Sequence, residues 1–172
     1  MDTTISVLVV GKSSNDNSMD ICLAARAFGA HVVTFEARKN PKLSRYFDSL
    51  NKRWGGSFSV SFTNNWKAFI KEHRNYKIVY LTRYGIPINK VEYAIRTYKN
   101  ILLVVTTAET LKEMHDLSDF NISITNQPHC SSAAIAVFLH QFYQGRELSL
   151  HFENAEYKVI PDERKVNVQK LK

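Results

Sequence analysis

Short apolar runs alternate with helix-like stretches along this chain, and that alternation restricts the fold more than any other feature of the sequence. Residues 5–10, 78–81 and 101–105 are apolar runs of strand length, and each passes into a polar loop before the next stretch of helical spacing begins. This order predicts a doubly wound α/β layer, in which helices cover both faces of a parallel sheet. Ligands of such folds bind beyond the carboxyl ends of the strands.

The run Ile-Leu-Leu-Val-Val at 101–105 is the most apolar in the chain, and it predicts a central strand buried on both faces. Residues 12–18 are predicted as a polar loop, and two short runs at 157–160 and 166–168 predict an exposed hairpin. Further strands are predicted near 31–35, 58–62 and 122–124, and helices over 19–28, 41–53, 65–70, 89–99, 111–117 and 131–144.

With 172 residues the chain is long enough for one α/β core and too short for two ordinary domains. We expect one domain over 1–172, with a core of about residues 1–150 and an extension of about residues 151–172. The formal net charge of +7 favours a polyanionic partner. The sequence begins with a strand pattern rather than a signal peptide and has no apolar run of about 18 residues, which predicts a cytoplasmic protein without a membrane span. The two cysteines form no CxxC, so neither a disulfide framework nor a zinc site is expected.

A polar turn at 126–131 separates a predicted strand from an apolar helix. Pro128 makes the turn rigid because proline fixes its own φ and lacks an N–H. Ser131 or Ser132 is the candidate N-cap of the helix and Gly145 its C-terminal stop. The helix is apolar nearly all round, which is typical of a buried helix. The pattern alone is compatible with an ordinary strand–turn–helix connection and with a ligand site in which N–H groups converge.

Arg26 is the only formally charged side chain between Asp20 and Glu36, on a helix of small and apolar residues. A guanidinium in such surroundings needs a partner, because desolvating it is costly. One interpretation is a buried ion pair with Asp16 or Asp20. The other is a cation directed into a functional site.

Two predicted helices, over 41–53 and from residue 65, carry basic faces next to aromatic residues. Such faces are usually just solvated, but they can also bind phosphates. The sequence has no GxGxxG and no phosphate-binding loop ending in Lys-Ser/Thr, which disfavours Rossmann dinucleotide binding and P-loop NTPase chemistry.

Five stretches together resemble the archaeal tRNA (cytidine-56) ribose 2′-O-methyltransferases, a branch of the SPOUT superfamily. They are Ala-Arg-Ala-Phe-Gly-Ala at 25–30, Lys-Arg-Trp-Gly-Gly at 52–56, Asn-Trp at 65–66, Leu-Thr-Arg-Tyr-Gly at 81–85 and Asn-Gln-Pro-His at 126–129. The resemblance covers roughly residues 5–168. It implies a C-terminal part tied in a trefoil knot, a homodimer, a tRNA substrate, and S-adenosylmethionine (SAM) as a methyl donor that needs no metal.

The resemblance also implies the site residues. Arg26 matches the motif arginine of the superfamily, and because a guanidinium stays protonated we expect it to stabilise the developing 2′-alkoxide, facing the turn at 126–129. Separately from the resemblance, His129 is a titrating group near this site, so it is either the general base or, as is common for a histidine in a turn, a structural hydrogen-bond former. Three loops hold SAM, and they comprise Leu81 and Thr82; Thr106, Thr107, Ala108, Glu109 and Thr110; and Ile124, Thr125, Asn126, Gln127, Pro128, His129, Cys130 and Ser131.

Two departures from the family pattern keep other functions open. Thr107 stands where the family has glycine, and a β-branched residue cannot follow glycine into positive φ, so either the loop is reshaped or SAM binds less tightly. The loop at 12–17 is shorter and less basic than in the family. The leading function is SAM-dependent 2′-O-methylation of cytidine 56 in the T loop of tRNA. The alternatives are a non-catalytic RNA-binding SPOUT module and a SPOUT methylase acting on another RNA nucleotide.

Overall fold

A six-stranded sheet runs through the centre of the protein, and every neighbouring pair of strands in it is parallel. The computed structural model describes residues 3–107 and 111–171. The spatial order of the strands is β3-β2-β1-β5-β4-β6, which confirms the predicted α/β layer. The strands are β1 (Thr4–Val10), β2 (Val32–Glu36), β3 (Ser59–Thr63), β4 (Lys77–Pro87), β5 (Asn100–Thr106) and β6 (Phe120–Ser123).

Helices cover both faces of this sheet. They are α1 (Asn15–Ala27), α2 (Pro41–Trp54), α3 (Trp66–Glu72), α4 (Glu92–Ile95), α5 (Lys112–Leu117) and α6 (Ser131–Tyr143). The side chains of β5 alternate between the two faces, because successive residues of a strand point to opposite sides. Ile101, Leu103 and Val105 belong to the larger core with α1, α2 and α6, whereas Leu102 and Val104 belong to the smaller core with α3 and α5. All five are at most 2% exposed, so the predicted central strand is confirmed.

Two helices differ from their predicted bounds for local reasons. α1 begins at Asn15 rather than near residue 19, because Ser14 Oγ accepts a hydrogen bond from Asn17 N and caps the helix inside the stretch predicted as loop. The helix predicted over 89–99 is a 3₁₀ turn, Ile88–Lys90, followed by the single turn of α4. The backbone leaves the helical region between them at the β-branched Val91, where φ is −128°.

α6 also differs from its prediction at both its N-cap and its surface. Cys130 is the N-cap and no side chain caps the helix, because Ser131 Oγ instead donates a hydrogen bond to Thr106 O. Val137 is 45% exposed, so α6 is not buried all round. Gly145 follows the end of the helix with a φ of +77°, as expected for a C-terminal stop.

The predicted C-terminal hairpin is present, as β7 (Tyr157–Val159) antiparallel to β8 (Val168–Lys170). It is joined to the end of α2 by Arg53, whose guanidinium lies 5.5 Å from the ring centroid of Trp54 and 5.4 Å from that of Tyr157. A Cβ on Gly55 would lie 2.6 Å from Phe152 O, and the φ of Gly55 is +82°. Glycine is therefore needed where the C-terminal segment crosses the end of α2.

β4 and β6 approach each other unusually closely at the far side of the sheet. Ile122 pairs first with Leu81 and then with Ile86, so that residues 82–85 bulge out of the strand pairing. A Cβ on Gly85 would lie 2.6 Å from the carbonyl carbon of Asn121. Only glycine allows two backbones to cross at this separation.

Candidate active site

A cavity of about 190 Å³ lies at the carboxyl ends of β4 and β5, closed by the turn before α6. It forms there because the strands of a parallel sheet all end at the same edge, where their exit loops meet. Its lining residues are Tyr80, Leu81, Thr82, Arg83, Val105, Thr106, Gln127, Pro128, His129, Ser131 and Ala134.

Hydrogen bonds hold the turn against both strand exits. Ser131 Oγ donates to Thr106 O over 3.4 Å, and Asn126 Nδ2 donates to Arg83 O over 2.6 Å. These bonds connect the start of α6 to β5 and to β4. The cavity is therefore built from three segments that are distant in sequence but tied to one another.

The lining combines an apolar base with a polar rim. Leu81, Val105 and Ala134 are buried, whereas Gln127 and His129 are exposed. The volume lies below the roughly 300–1,000 Å³ of pockets that enclose a drug-sized ligand. The cavity thus suits one heterocyclic end of a ligand, with the rest lying along the exposed turn. Within the described ranges, no group of three or more His, Cys, Asp or Glu side chains is placed to hold a metal ion.

The structure brings together seven of the residues assigned to SAM from the family resemblance: Leu81, Thr82, Thr106, Gln127, Pro128, His129 and Ser131. Ala108, Glu109 and Thr110 lie outside the described residues. Thr107, Asn126 and Cys130 are chain neighbours of lining residues, Ile124 and Thr125 precede Gln127 by three and two residues, and none of the five lines the cavity.

Sequence reasoning missed four lining residues, Tyr80, Arg83, Val105 and Ala134. Arg83 could have been found, because it lies within the Leu-Thr-Arg-Tyr-Gly stretch that carries part of the resemblance. Tyr80 and Val105 belong to predicted buried strands, where nothing in the pattern separates a core residue from one at a cavity wall.

Thr107 takes a conformation open to any residue. Its Oγ1 donates to Lys12 O over 2.6 Å and its N–H donates to Val10 O over 3.1 Å. Within the described chain, the non-glycine residues with positive φ are Gln144 and Asn154, so Thr107 does not follow glycine into that region. The threonine instead ties the loop after β5 to the loop after β1.

Arg26 lies at the opposite edge of the sheet. α1 starts beyond the carboxyl end of β1 and runs back over 13 residues, about 20 Å, so its last turn is at the amino edge. There Arg26 Nε donates to Asn51 Oδ1 over 3.1 Å and Nη2 donates to Gly55 O over 2.6 Å. The guanidinium also lies 4.8 Å from the centroid of the Phe152 ring. Burial lowers the pKa of the group, which is 8% exposed.

The structure contradicts the ion-pair interpretation of Arg26 and the expectation that it faces the turn at 126–129 of its own chain, whereas its catalytic role stays a prediction. Its hydrogen-bond partners are neutral, so it forms no buried ion pair with Asp16 or Asp20. Nor does it face the turn at 126–129 within its own chain, because a helix length separates it from that edge.

The two cysteines lie in contrasting environments. The hydrogen bond with Ser132 Oγ, 3.4 Å away, and a further one from the backbone of Ala133 lower the pKa of the exposed Cys130 thiol. Burial raises the pKa of Cys22, on α1, to about 12. Only Cys130 is placed for thiolate chemistry.

Solved structures that share this fold include several RNA methyltransferases. An RNA 2′-O ribose methyltransferase superposes with a TM-score of 0.63 and 17% identity, covering 84% of this chain and 57% of that one. The SpoU methyltransferase AviRb from Streptomyces viridochromogenes, in complex with AdoMet, superposes with a TM-score of 0.59 and 18% identity, covering 86% and 62%. This chain thus spans less than two thirds of either structure. The protein therefore has the fold of this class of RNA methyltransferases.

Sequence comparison narrows that class to one family. The family described as tRNA ribose 2′-O-methyltransferase, aTrm56, matches residues 54–169, more than half of the chain. A tRNA (cytidine(56)-2′-O)-methyltransferase of Methanopyrus kandleri is 37% identical over 153 residues, 88% of this chain and 86% of the relative. One of Sulfurisphaera tokodaii is 38% identical over 154 residues, 87% and 90%. The chain belongs to the aTrm56 family of tRNA ribose 2′-O-methyltransferases, and the resemblance drawn from five short stretches is confirmed.

Proposed function

We propose that this protein transfers a methyl group from SAM to the ribose 2′-oxygen of cytidine 56 in tRNA. The names of its relatives support this reaction. The observation that carries the proposal is the convergence of residues 80–83, 105–106 and 127–131 around one cavity.

The donor set of the cavity fits one end of SAM. The apolar base formed by Leu81, Val105 and Ala134 suits a heterocycle, and the polar rim supplies hydrogen-bonding groups for its edge. We assign Thr82, Thr106, Gln127, Pro128 and Ser131 to the same site. Thr107, Ile124, Thr125, Asn126 and Cys130 support its loops, and Ala108, Glu109 and Thr110 are further candidates. When bound, SAM supplies an electrophilic methyl carbon on a sulfonium.

For methyl transfer, the ribose 2′-hydroxyl must lose its proton, and the negative charge that develops on its oxygen must be stabilised. His129 is exposed and lines the cavity, so it is placed to accept the 2′-hydroxyl proton as the new C–O bond forms. Arg83 also lines the cavity, beside the Tyr84 ring at 5.0 Å. A permanent cation there stabilises charge developing on the 2′-oxygen. For Arg26 we propose a structural part instead, as the residue that joins α1, α2 and the C-terminal segment.

The test is incubation with labelled SAM and unmodified tRNA, followed by nucleoside analysis. We expect about one methyl per tRNA, recovered as 2′-O-methylcytidine. The matched control is the same tRNA with 2′-deoxycytidine at position 56, which has no 2′-oxygen and should accept no label. Label at another nucleotide would instead support a methylase of different specificity, and tRNA binding without transfer would support a non-catalytic module.

Cofactor binding is tested separately through Ala134, a cavity residue that is 3% exposed. Ala134→Leu fills the cavity, so the affinity for S-adenosylhomocysteine should fall by at least about ten-fold in isothermal titration, equivalent to about 1.4 kcal/mol. Ala94→Leu makes the same change at an exposed position of α4 and should bind as the wild type does. Equal affinities of the two variants for S-adenosylhomocysteine would show that this cavity is not the SAM site.

We further propose that two copies of the chain form a homodimer through α1 and α6. These helices pack side by side, and on their outer surface Leu23 is 37% exposed and Val137 is 45% exposed. Apolar side chains on adjacent helices favour a self-complementary contact. Light scattering on the purified protein should give twice the chain mass, and Leu23→Glu with Val137→Glu should give a monomer.

We propose three further properties for this chain: a knot, a single domain and a cytoplasmic location. The close crossing of Gly85 and Ile122 supports a trefoil knot in the C-terminal part.

The hairpin at about residues 151–172 is proposed as an extension of a single domain whose core is about residues 1–150. A cytoplasmic location agrees with a tRNA substrate. No helix in the described part of the chain combines the length and apolar character needed to cross a membrane.

A further inference from the structure

One side of α2 is a stripe of exposed cations. Lys42, Arg45, Lys52 and Arg53 are all exposed, and helical spacing places them on one face together with Tyr46. At the C-terminal end of this face, Lys52 Nζ lies 3.6 Å from Glu156 Oε1 and Arg53 packs against the Trp54 and Tyr157 rings, so the unengaged cations are Lys42 and Arg45. We call this face the α2 stripe. It follows a helix of 14 residues, about 21 Å long. Residues 38–53 contain six cations and one carboxylate, Asp48, so this segment supplies most of the net charge of +7 of the whole chain.

A second cavity, of about 290 Å³, opens at the N-terminal end of the α2 stripe, between α1 and α2. Met19 and the exposed Tyr46, which is 44% accessible, supply apolar and aromatic surface. Asn15 and Asn40 supply side-chain amides. Asn40 Oδ1 caps α2 by accepting from Lys42 N and Leu43 N, and its NH₂ group takes no part in that cap.

This cavity lies at the same edge of the sheet as the candidate SAM site. α1 and α2 both begin beyond the carboxyl ends of their preceding strands, β1 and β2. The loops beside the two sites are joined by a hydrogen bond, which Thr107 Oγ1 after β5 donates to Lys12 O before α1. A substrate long enough to reach both sites can therefore lie along one edge of the molecule.

We propose that the α2 stripe and the cavity at its N-terminal end bind the RNA substrate. Lys42 and Arg45, at the N-terminal end of the stripe, contact phosphates, and Tyr46 stacks on an unpaired base that enters the cavity. Charge complementarity favours a nucleic acid, and an aromatic ring beside side-chain amides favours a base that has left its helix. The identity of this RNA as tRNA rests on the proposed function.

The first test compares two charge reversals of equal size. Lys42→Glu with Arg45→Glu changes the α2 stripe, and Lys71→Glu with Arg74→Glu changes two exposed residues at the end of α3, with the same Lys-x-x-Arg spacing. α3 packs on the other face of the sheet. We expect the first pair to weaken binding of unmodified tRNA at least ten-fold and to reduce the slope of log affinity against log salt by about 1.5. The α3 pair should change affinity less than about two-fold.

The second test concerns the base rather than the phosphates. Tyr46→Leu keeps an apolar side chain and removes the flat ring, so tRNA affinity should fall roughly ten-fold with an unchanged salt slope. Tyr46→Phe keeps the ring and should bind as the wild type does. If Tyr46→Leu also binds as the wild type does, the stacking role is wrong.

Methyl transfer and tRNA binding, measured on the same preparations, separate this inference from the proposed function. Titration with S-adenosylhomocysteine on those preparations reports cofactor binding. Loss of tRNA binding through α2 in a protein that never transfers methyl would refute the activity and support the α2 stripe. If the α2 reversal changes neither methyl transfer nor tRNA affinity, or if both reversals lower tRNA affinity equally, the α2 stripe is not the RNA-binding surface. The proposed activity would be unaffected by either result.

Discussion

The two edges of the parallel sheet use the same kinds of residue in opposite ways. At the carboxyl edge, Arg83 is exposed and lines the cavity, opposite Gln127, Pro128 and His129 of the exposed turn. At the amino edge, Arg26 is buried, and its guanidinium is bound by Asn51, Gly55 and Phe152 from the same chain. The difference shows that an arginine is assigned to chemistry or to structure by the partners that surround it, not by the apolar helix on which it lies.

The largest effect is expected at the carboxyl edge, from Gly85→Ala. The added Cβ would collide with the backbones of Asn121 and Ile122, which cannot rotate away as a side chain can. The free energy of unfolding should fall by about 3 kcal/mol or more, measured by urea denaturation. Gly145→Ala is the comparison, because its Cβ would meet only His140 Cε1 at 3.8 Å and the strain comes from a φ of +77°. It should lose about 1–2 kcal/mol. Equal losses would show that β4 and β6 can separate.

The amino edge is tested by Arg26→Ala. The substitution leaves Asn51 Oδ1 and Gly55 O without their charged donor, so we expect a loss of about 2–4 kcal/mol in the free energy of unfolding. Binding of S-adenosylhomocysteine should persist while the protein is folded. Arg74→Ala removes an exposed arginine and should change stability by less than about 0.5 kcal/mol. A stable Arg26→Ala variant that binds cofactor but no longer transfers methyl would contradict the structural role and restore the catalytic one.

A smaller effect distinguishes the thiols of the site and of the core. Thiolate is the reactive form, and the lowered pKa of Cys130 means that its alkylation should reach half its maximal rate at a lower pH than that of an unperturbed thiol. Cys22 is buried and its pKa is about 12, so it stays protonated and unlabelled. Iodoacetamide labelling followed by peptide mass spectrometry measures both, and Cys130→Ser is the control. Labelling of Cys22 at neutral pH in the folded protein would contradict the contrast.

The fold could be predicted because its determinants are local. Ile101 to Val105 must be buried on both faces wherever the chain places them, and the hairpin after residue 157 follows from two short alternating runs. The failures had two origins, one local and one between segments distant in the sequence. The Ser14 cap lay inside an apparent loop, and Ser131 formed a bond to β5 instead of capping α6.

By itself, the amino-acid sequence determined the α/β layer, the strand exits that meet at the candidate active site and the family to which the chain belongs. Only the tertiary structure decided the surroundings of Arg26, whose partners Asn51 and Gly55 are 25 and 29 residues away. It also decided why Gly85 must be glycine and where Tyr46 meets a cavity beside α1. The physical reason is that burial and hydrogen bonding depend on distances between segments that lie far apart in the sequence, and spacing along the chain does not report those distances.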